Sequence, residues 1–167
     1  MTRQARIDRR RLDTAAVRRA SELLVEAMGW AAEHGDVAHL LRCSRDRALL
    51  LLAWRCGGRA ASFCGLTVEP CGSAPSTHLS LFLDDERVAL PERAGNDCPV
   101  SATRQWLSLA GIDEGPVFRH VSRLGETTHD GLSASALRRI WRRTLALAAL
   151  PNAFDEPPQR RSMERSS

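Results

Sequence analysis

The sequence predicts a mainly α-helical domain with a small antiparallel β-hairpin or sheet, an α+β arrangement. Three observations carry this. Apolar residues recur at three- and four-residue steps over several long segments. One short segment, residues 79–90, alternates instead as a hairpin does. Gly, Pro and Ser gather mostly between these segments. With 167 residues, 43% of them hydrophobic, the chain can bury one sizeable core. One domain is therefore expected over residues 13–150, between a basic arm (1–12) and a polar, Pro-rich tail (151–167).

The arm carries Arg3, Arg6, Arg9, Arg10 and Arg11 without apolar periodicity and reads as solvated. Asp13 or Thr14 can cap a helix whose inner face is Val17, Ala20, Leu24, Ala27, Met28 and Ala31, ending near His34 and Gly35. His34 and His39 flank that turn and read as surface or capping residues. From Ala48 to Trp54 every residue is apolar, so this helix belongs in the middle of the domain, with Arg45, Asp46 and Arg47 as its polar entry. Gly57 and Gly58 end it. Arg59 then stands between two apolar runs, as either a boundary arginine or an oxyanion ligand.

Residues 70–77 form a loop, and the hairpin at 79–90 turns at Asp84, Asp85 and Glu86. A helix is expected from Pro99 to Ala110 with Asp97 as cap, its core face being Val100, Trp106, Leu107 and Ala110. Pro116, Val117 and Phe118 make a brief extended piece, followed by a loop through Gly125 and Gly131. Ser133 caps a last helix over residues 134–150 with two unlike faces. Leu137, Ile140, Trp141, Thr144, Leu145 and Ala148 form one, and Arg138, Arg139, Arg142 and Arg143 the other. Arginines four residues apart repel, so such a face is either simply solvated or set against DNA phosphates.

All 24 cationic side chains are Arg; Lys and Tyr do not occur. These residues therefore supply no amine acid or base and no phenolic nucleophile. The formal charge of +4 is compatible with a nucleic-acid partner. Five cysteines, Cys43, Cys56, Cys64, Cys71 and Cys98, show neither CxxC pairing nor zinc-knuckle spacing, so reduced thiols, a cytoplasmic location and no metal are expected. No apolar run reaches the roughly 20 residues a membrane span needs.

Taken in order, RDRALLLLAWRCGGRAASFCGLTVE, a hairpin ending VALPER, DCPVSATRQWLSLAGIDEGPVFRHV and LSASALRRIWRRTLALAAL resemble the catalytic domain of the tyrosine recombinases, the phage-integrase family, over residues 6–160. In that family a tyrosine attacks a backbone phosphate to give a 3′-phosphotyrosyl link. Two arginines hold the non-bridging oxygens, which a planar guanidinium binds bidentately, and a hairpin lysine protonates the leaving 5′-oxygen. The resemblance assigns Arg59 to the first arginine, although Ala61, Ser62 and Phe63 replace the usual Ser-Glu-Leu. It assigns Arg160 to the second, within FDEPPQRRSM, where Pro157 takes the place of the family histidine.

Asp84, Asp85 and Glu86 occupy the turn where the lysine belongs, and the sequence ends at Ser167 before a tyrosine occurs. The expectation is thus an incomplete recombinase domain related to DNA integration and mobile elements. It is expected to bind duplex DNA through Arg138, Arg139, Arg142 and Arg143, to use no cofactor, and to be unable to cleave DNA by itself. The alternative is an inert or regulatory remnant that acts by association with an intact recombinase or with a second copy, since family members exchange their C-terminal segment between protomers.

Overall fold

The computed structural model describes residues 14–56, 60–68, 78–83 and 86–149. In chain order these form α1 (Thr14–Glu33), α2 (Val37–Cys56), α3 (Ala60–Cys64), β1 (Thr67–Val68), β2 (His78–Leu83) and β3 (Glu86–Pro91). There follow α4 (Pro99–Ala110), β4 (Gly115–Pro116), β5 (Arg119–Val121), β6 (Thr127–Gly131) and α5 (Ala134–Leu147). The described residues are mostly helical with small antiparallel sheets, an α+β fold.

Helix α2 is the hub, and α1, α4 and α5 all pack against it. Its apolar run explains why: Ala48, Leu49, Leu50, Leu51, Leu52 and Ala53 are all buried, so each side of the helix needs a neighbour. Leu50 and Leu51 meet Val17 and Ala20 of α1 and Ala102 of α4. Leu49 and Leu52 join Phe63, Trp106, Leu137 and Ile140 in the main core. Trp106 is fully buried and its indole N–H donates to the Val117 carbonyl at 2.7 Å, which ties α4 to the segment ahead of β5.

The first sheet has the order β3-β2-β1-β4, with Thr67 of β1 opposite Phe82 on one side and Pro116 on the other. The expected hairpin is present, Leu79 facing Leu90. Its turn residues Asp84 and Asp85 lie outside the described residues.

Three sequence expectations need correction. Arg45, Asp46 and Arg47 do not mark the start of the central helix. Asp36 caps it by accepting the His39 backbone N–H at 3.0 Å, and the triplet lies mid-helix, 5%, 5% and 7% exposed. Asp97 does not cap α4. The cap position is Cys98, without a side-chain cap bond, and Asp97 instead pairs with Arg18 of α1 at 2.9 Å. The stretch expected as a loop through Gly125 and Gly131 is a second hairpin, β5–β6. Both strands are short; β5 has only three residues, with Val121 in the core, and β6 is polar and shows no alternation. The guanidinium of Arg119 ties β5 to the β4 segment by donating to the carbonyls of Glu114 and Pro116, and to β6 by donating to the Thr128 carbonyl.

Among the described residues no helix is long and apolar enough to cross a membrane.

Candidate nucleic-acid interface

Helix α5 begins where Ser133 Oγ accepts the Ala136 backbone N–H at 3.2 Å. Thr144 is buried only 2% short of completely because its hydroxyl donates to the Ile140 carbonyl at 2.8 Å within the same helix. Together with Leu137 and Ile140 it forms the buried side, set against α1, α2 and α3. At about 100° per residue, Arg138, Arg139, Arg142 and Arg143 fall on the opposite side, and all four are exposed. Arg138 and Arg142 lie one turn apart, as do Arg139 and Arg143, each pair separated by about 6 Å along the axis.

The four are not equivalent. Arg143 Nη2 donates to Asp46 Oδ2 at 2.6 Å, while 58% of its side chain stays exposed. Asp46 Oδ1 accepts Nε and Nη2 of Arg45, at 3.0 and 2.8 Å, and Arg45 Nη1 donates to the Arg119 carbonyl at 3.1 Å. One buried carboxylate thus joins α2, α5 and β5 and leaves this trio with a net charge of +1. Burial without such partners would be prohibitive for Arg45 and Asp46, the two buried charges of the trio.

Arg138 Nη2 reaches Ser135 Oγ at 3.4 Å on its own helix. Its charge also reaches the end of α3: burial pushes the Cys64 thiol up, and the Arg138 cation opposes that rise. No hydrogen bond or ion pair holds Arg139 or Arg142 among the described residues. The face therefore runs from the α3 flank, at Arg138, to the α2 flank, at Arg143.

The two residues assigned to catalysis by resemblance, Arg59 and Arg160, lie outside the described residues. The ends of the neighbouring helices, Cys56 of α2 and Ala60 of α3, bracket Arg59 in the sequence, and α3 packs against α5.

Sequence reasoning missed the role of Asp46 and Arg45. A signal was available: Asp36 as cap, with Ala38 and Leu41 in helical step with Leu49 and Leu52, places the triplet inside the helix rather than at its mouth. Chemically, the arrangement is a cationic strip on a rigid helix. It can neutralise and orient an extended polyanion.

A separate open groove of about 640 Å³ lies between α1, α2, α4 and residues 95–96. Val25, Met28, Ala32 and Leu40 line it, and so does Arg47. The Arg47 guanidinium donates to Ser21 Oγ, Gln105 Oε1 and the Asn96 carbonyl.

No family model and no solved structure matches the chain. The chain is similar to an "Integrase/recombinase xerD homolog" of Selenomonas ruminantium, 26% identical over 139 residues, which is 78% of this chain. It spans 40% of that protein's length. This distant likeness agrees with the family resemblance seen in the sequence.

Proposed function

We propose that this chain binds duplex DNA along the arginine face of α5, as a protein of recombinase and integrase descent, and that it does not cleave DNA by itself. The observation that carries the proposal is the opposition within one helix: Leu137, Ile140 and Thr144 buried on one side, Arg138, Arg139, Arg142 and Arg143 exposed on the other. Arginines repel one another at helical spacing, and of the four only Arg143 meets a carboxylate among the described residues, so the face is completed by a further anion. A regularly spaced phosphate backbone is the anion that suits a strip rather than a point. The distant likeness to an integrase/recombinase homologue supports the same choice.

Absence of cleavage rests on chemistry. The reaction implied by the resemblance needs a tyrosine nucleophile and a lysine acid, and neither residue type occurs here.

Two measurements test the proposal. Binding to labelled duplex DNA is expected to weaken linearly on a log–log plot of affinity against salt, each phosphate contact contributing about −0.9 to the slope. A slope near zero would refute the DNA-face reading. A nicked suicide substrate is expected to yield no covalent protein–DNA adduct, and an adduct formed without a tyrosine would refute the second half.

A second reading, association with another protein, is favoured by the groove beside Val25, Met28 and Leu40. Size-exclusion chromatography separates the two. A concentration-independent monomer that does not co-elute with an intact recombinase argues against association.

A further inference from the structure

The four arginines of α5 differ in one respect that bears on how they meet phosphate. Arg139 and Arg142 have no fixed partner among the described residues, and the partner of Arg138 is a hydroxyl on its own helix at 3.4 Å. Arg143 alone among the four is held by a buried carboxylate, Asp46, at 2.6 Å. Asp46 is itself fixed by two N–H groups of buried Arg45, and Arg45 by the Arg119 carbonyl. The contact occupies one of the five N–H donors of Arg143 and leaves more than half of its side chain open to solvent.

We propose that Asp46 is a positioning residue for the DNA-binding face: it orders the Arg143 guanidinium so that the edge turned away from Asp46 meets a backbone phosphate already in place. The inference rests on the reading of α5 as the DNA-binding face.

The physical reason is that a flexible arginine loses rotamer freedom when it clamps phosphate, and an arginine already held has lost most of it beforehand. The planar guanidinium can serve a carboxylate on one edge and a phosphate on another; an ammonium has no such pair of edges. Asp46, 6% exposed at its side chain, sits too deep to repel the DNA as a surface acid does. The trio keeps its net charge of +1, so the face remains attractive to a polyanion.

This leads to an outcome opposite in sign to simple charge counting. Asp46→Asn makes the chain more positive, and charge counting alone has it bind DNA more tightly. Positioning has it bind more weakly, by roughly three- to tenfold, the range that ordering one long side chain spans. Arg143→Ala is expected to lose more affinity than Arg139→Ala or Arg142→Ala while lowering the salt slope by about the same 0.9.

The experiment is fluorescence-anisotropy titration of a labelled duplex of mixed sequence with the full chain and these four variants, over a range of salt. Far-UV circular dichroism is recorded on each. Tighter binding by a folded Asp46→Asn variant overturns the inference. If Asp46→Asn fails to fold, the comparison of exposed arginines decides: an Arg143→Ala loss no larger than that of Arg139→Ala and Arg142→Ala overturns it, and a larger loss supports it. A wild-type salt slope near zero overturns the DNA-face reading as well. A normal wild-type slope with equal arginine losses overturns this inference only.

Discussion

Two buried side chains, Asp46 and Cys43, lie one helical turn apart on α2 and answer to different experiments. Asp46→Ala removes the only carboxylate of the Arg45–Asp46–Arg143 trio and leaves the Arg45 guanidinium buried with the Arg119 carbonyl as its remaining partner. The expected loss is about 3–5 kcal/mol in urea unfolding, the cost of stranding a buried charge. Arg143→Ala, at an exposed site, is expected to cost less than about 1 kcal/mol. Equal losses for the two variants would contradict the assignment of Arg45 as the buried, dependent partner.

For Cys43, burial pushes the thiol up from 9.0 to about 11; Asp46 adds to the rise, and Arg143 and Arg45 oppose it. Between these two values the unfolded chain releases a proton that the folded chain keeps. The contribution is therefore fully present below about pH 9 and is lost as pH rises through about 11, by roughly 2–3 kcal/mol at most. Lys and Tyr do not occur, so cysteines are the side chains whose ordinary titration falls near this window. The midpoint of thermal unfolding is expected to fall across it, and to fall less in Cys43→Ala. Parallel profiles for the two proteins would refute the assignment to Cys43.

Helix α5 shows what element-level reasoning can and cannot reach. Its cap Ser133, its buried Leu137 and Ile140 and its arginine face follow from spacing alone, and all are observed. Ser133→Ala is expected to cost about 1 kcal/mol by freeing the Ala136 N–H, measured by urea unfolding, with the salt slope of DNA binding unchanged because no arginine is lost. A change in slope would mean that the cap also sets the pose of the arginines. The start of α2 is the contrary case. Three charged residues look like a helix entrance in one dimension, yet Asp36 begins the helix nine residues before Arg45. The charged triplet is tolerated inside because every charge finds a partner on another element, and no periodicity encodes that. The β5–β6 hairpin was illegible for a related reason. Thr127–Gly131 is polar throughout, and the strand exists through ladder bonds and the Arg119 clamp rather than through an alternating apolar face.

At the scale of the whole molecule, α2 is surrounded by α1, α4 and α5, and arginine does the cross-bracing. Arg47 spans α1, α4 and the loop before α4 through Ser21, Gln105 and the Asn96 carbonyl. Arg42 reaches the Ser122 carbonyl from α2 at 2.9 Å. Each brace carries charge without consuming a carboxylate, which helps keep the chain at a net +4. Because arginine is not deprotonated at working pH, the DNA affinity proposed here is expected to stay nearly flat between about pH 6 and 9 at constant salt. A fall in affinity above about pH 7 would implicate a histidine in the face.

The sequence by itself determined the α+β class, the burial of the 48–53 run, the hairpin at 79–90 and the two faces of α5, because each is a local periodicity that the backbone geometry converts directly into a side. It also determined which chemistry these residues exclude, since the absence of Tyr and Lys is a matter of composition. Only the tertiary structure decided that Asp46 and Arg143, 97 residues apart, meet, and that the four arginines are therefore unequal. Such a pairing is made where two helices cross, and its energy comes from a low-dielectric interior that exists only once the chain has folded.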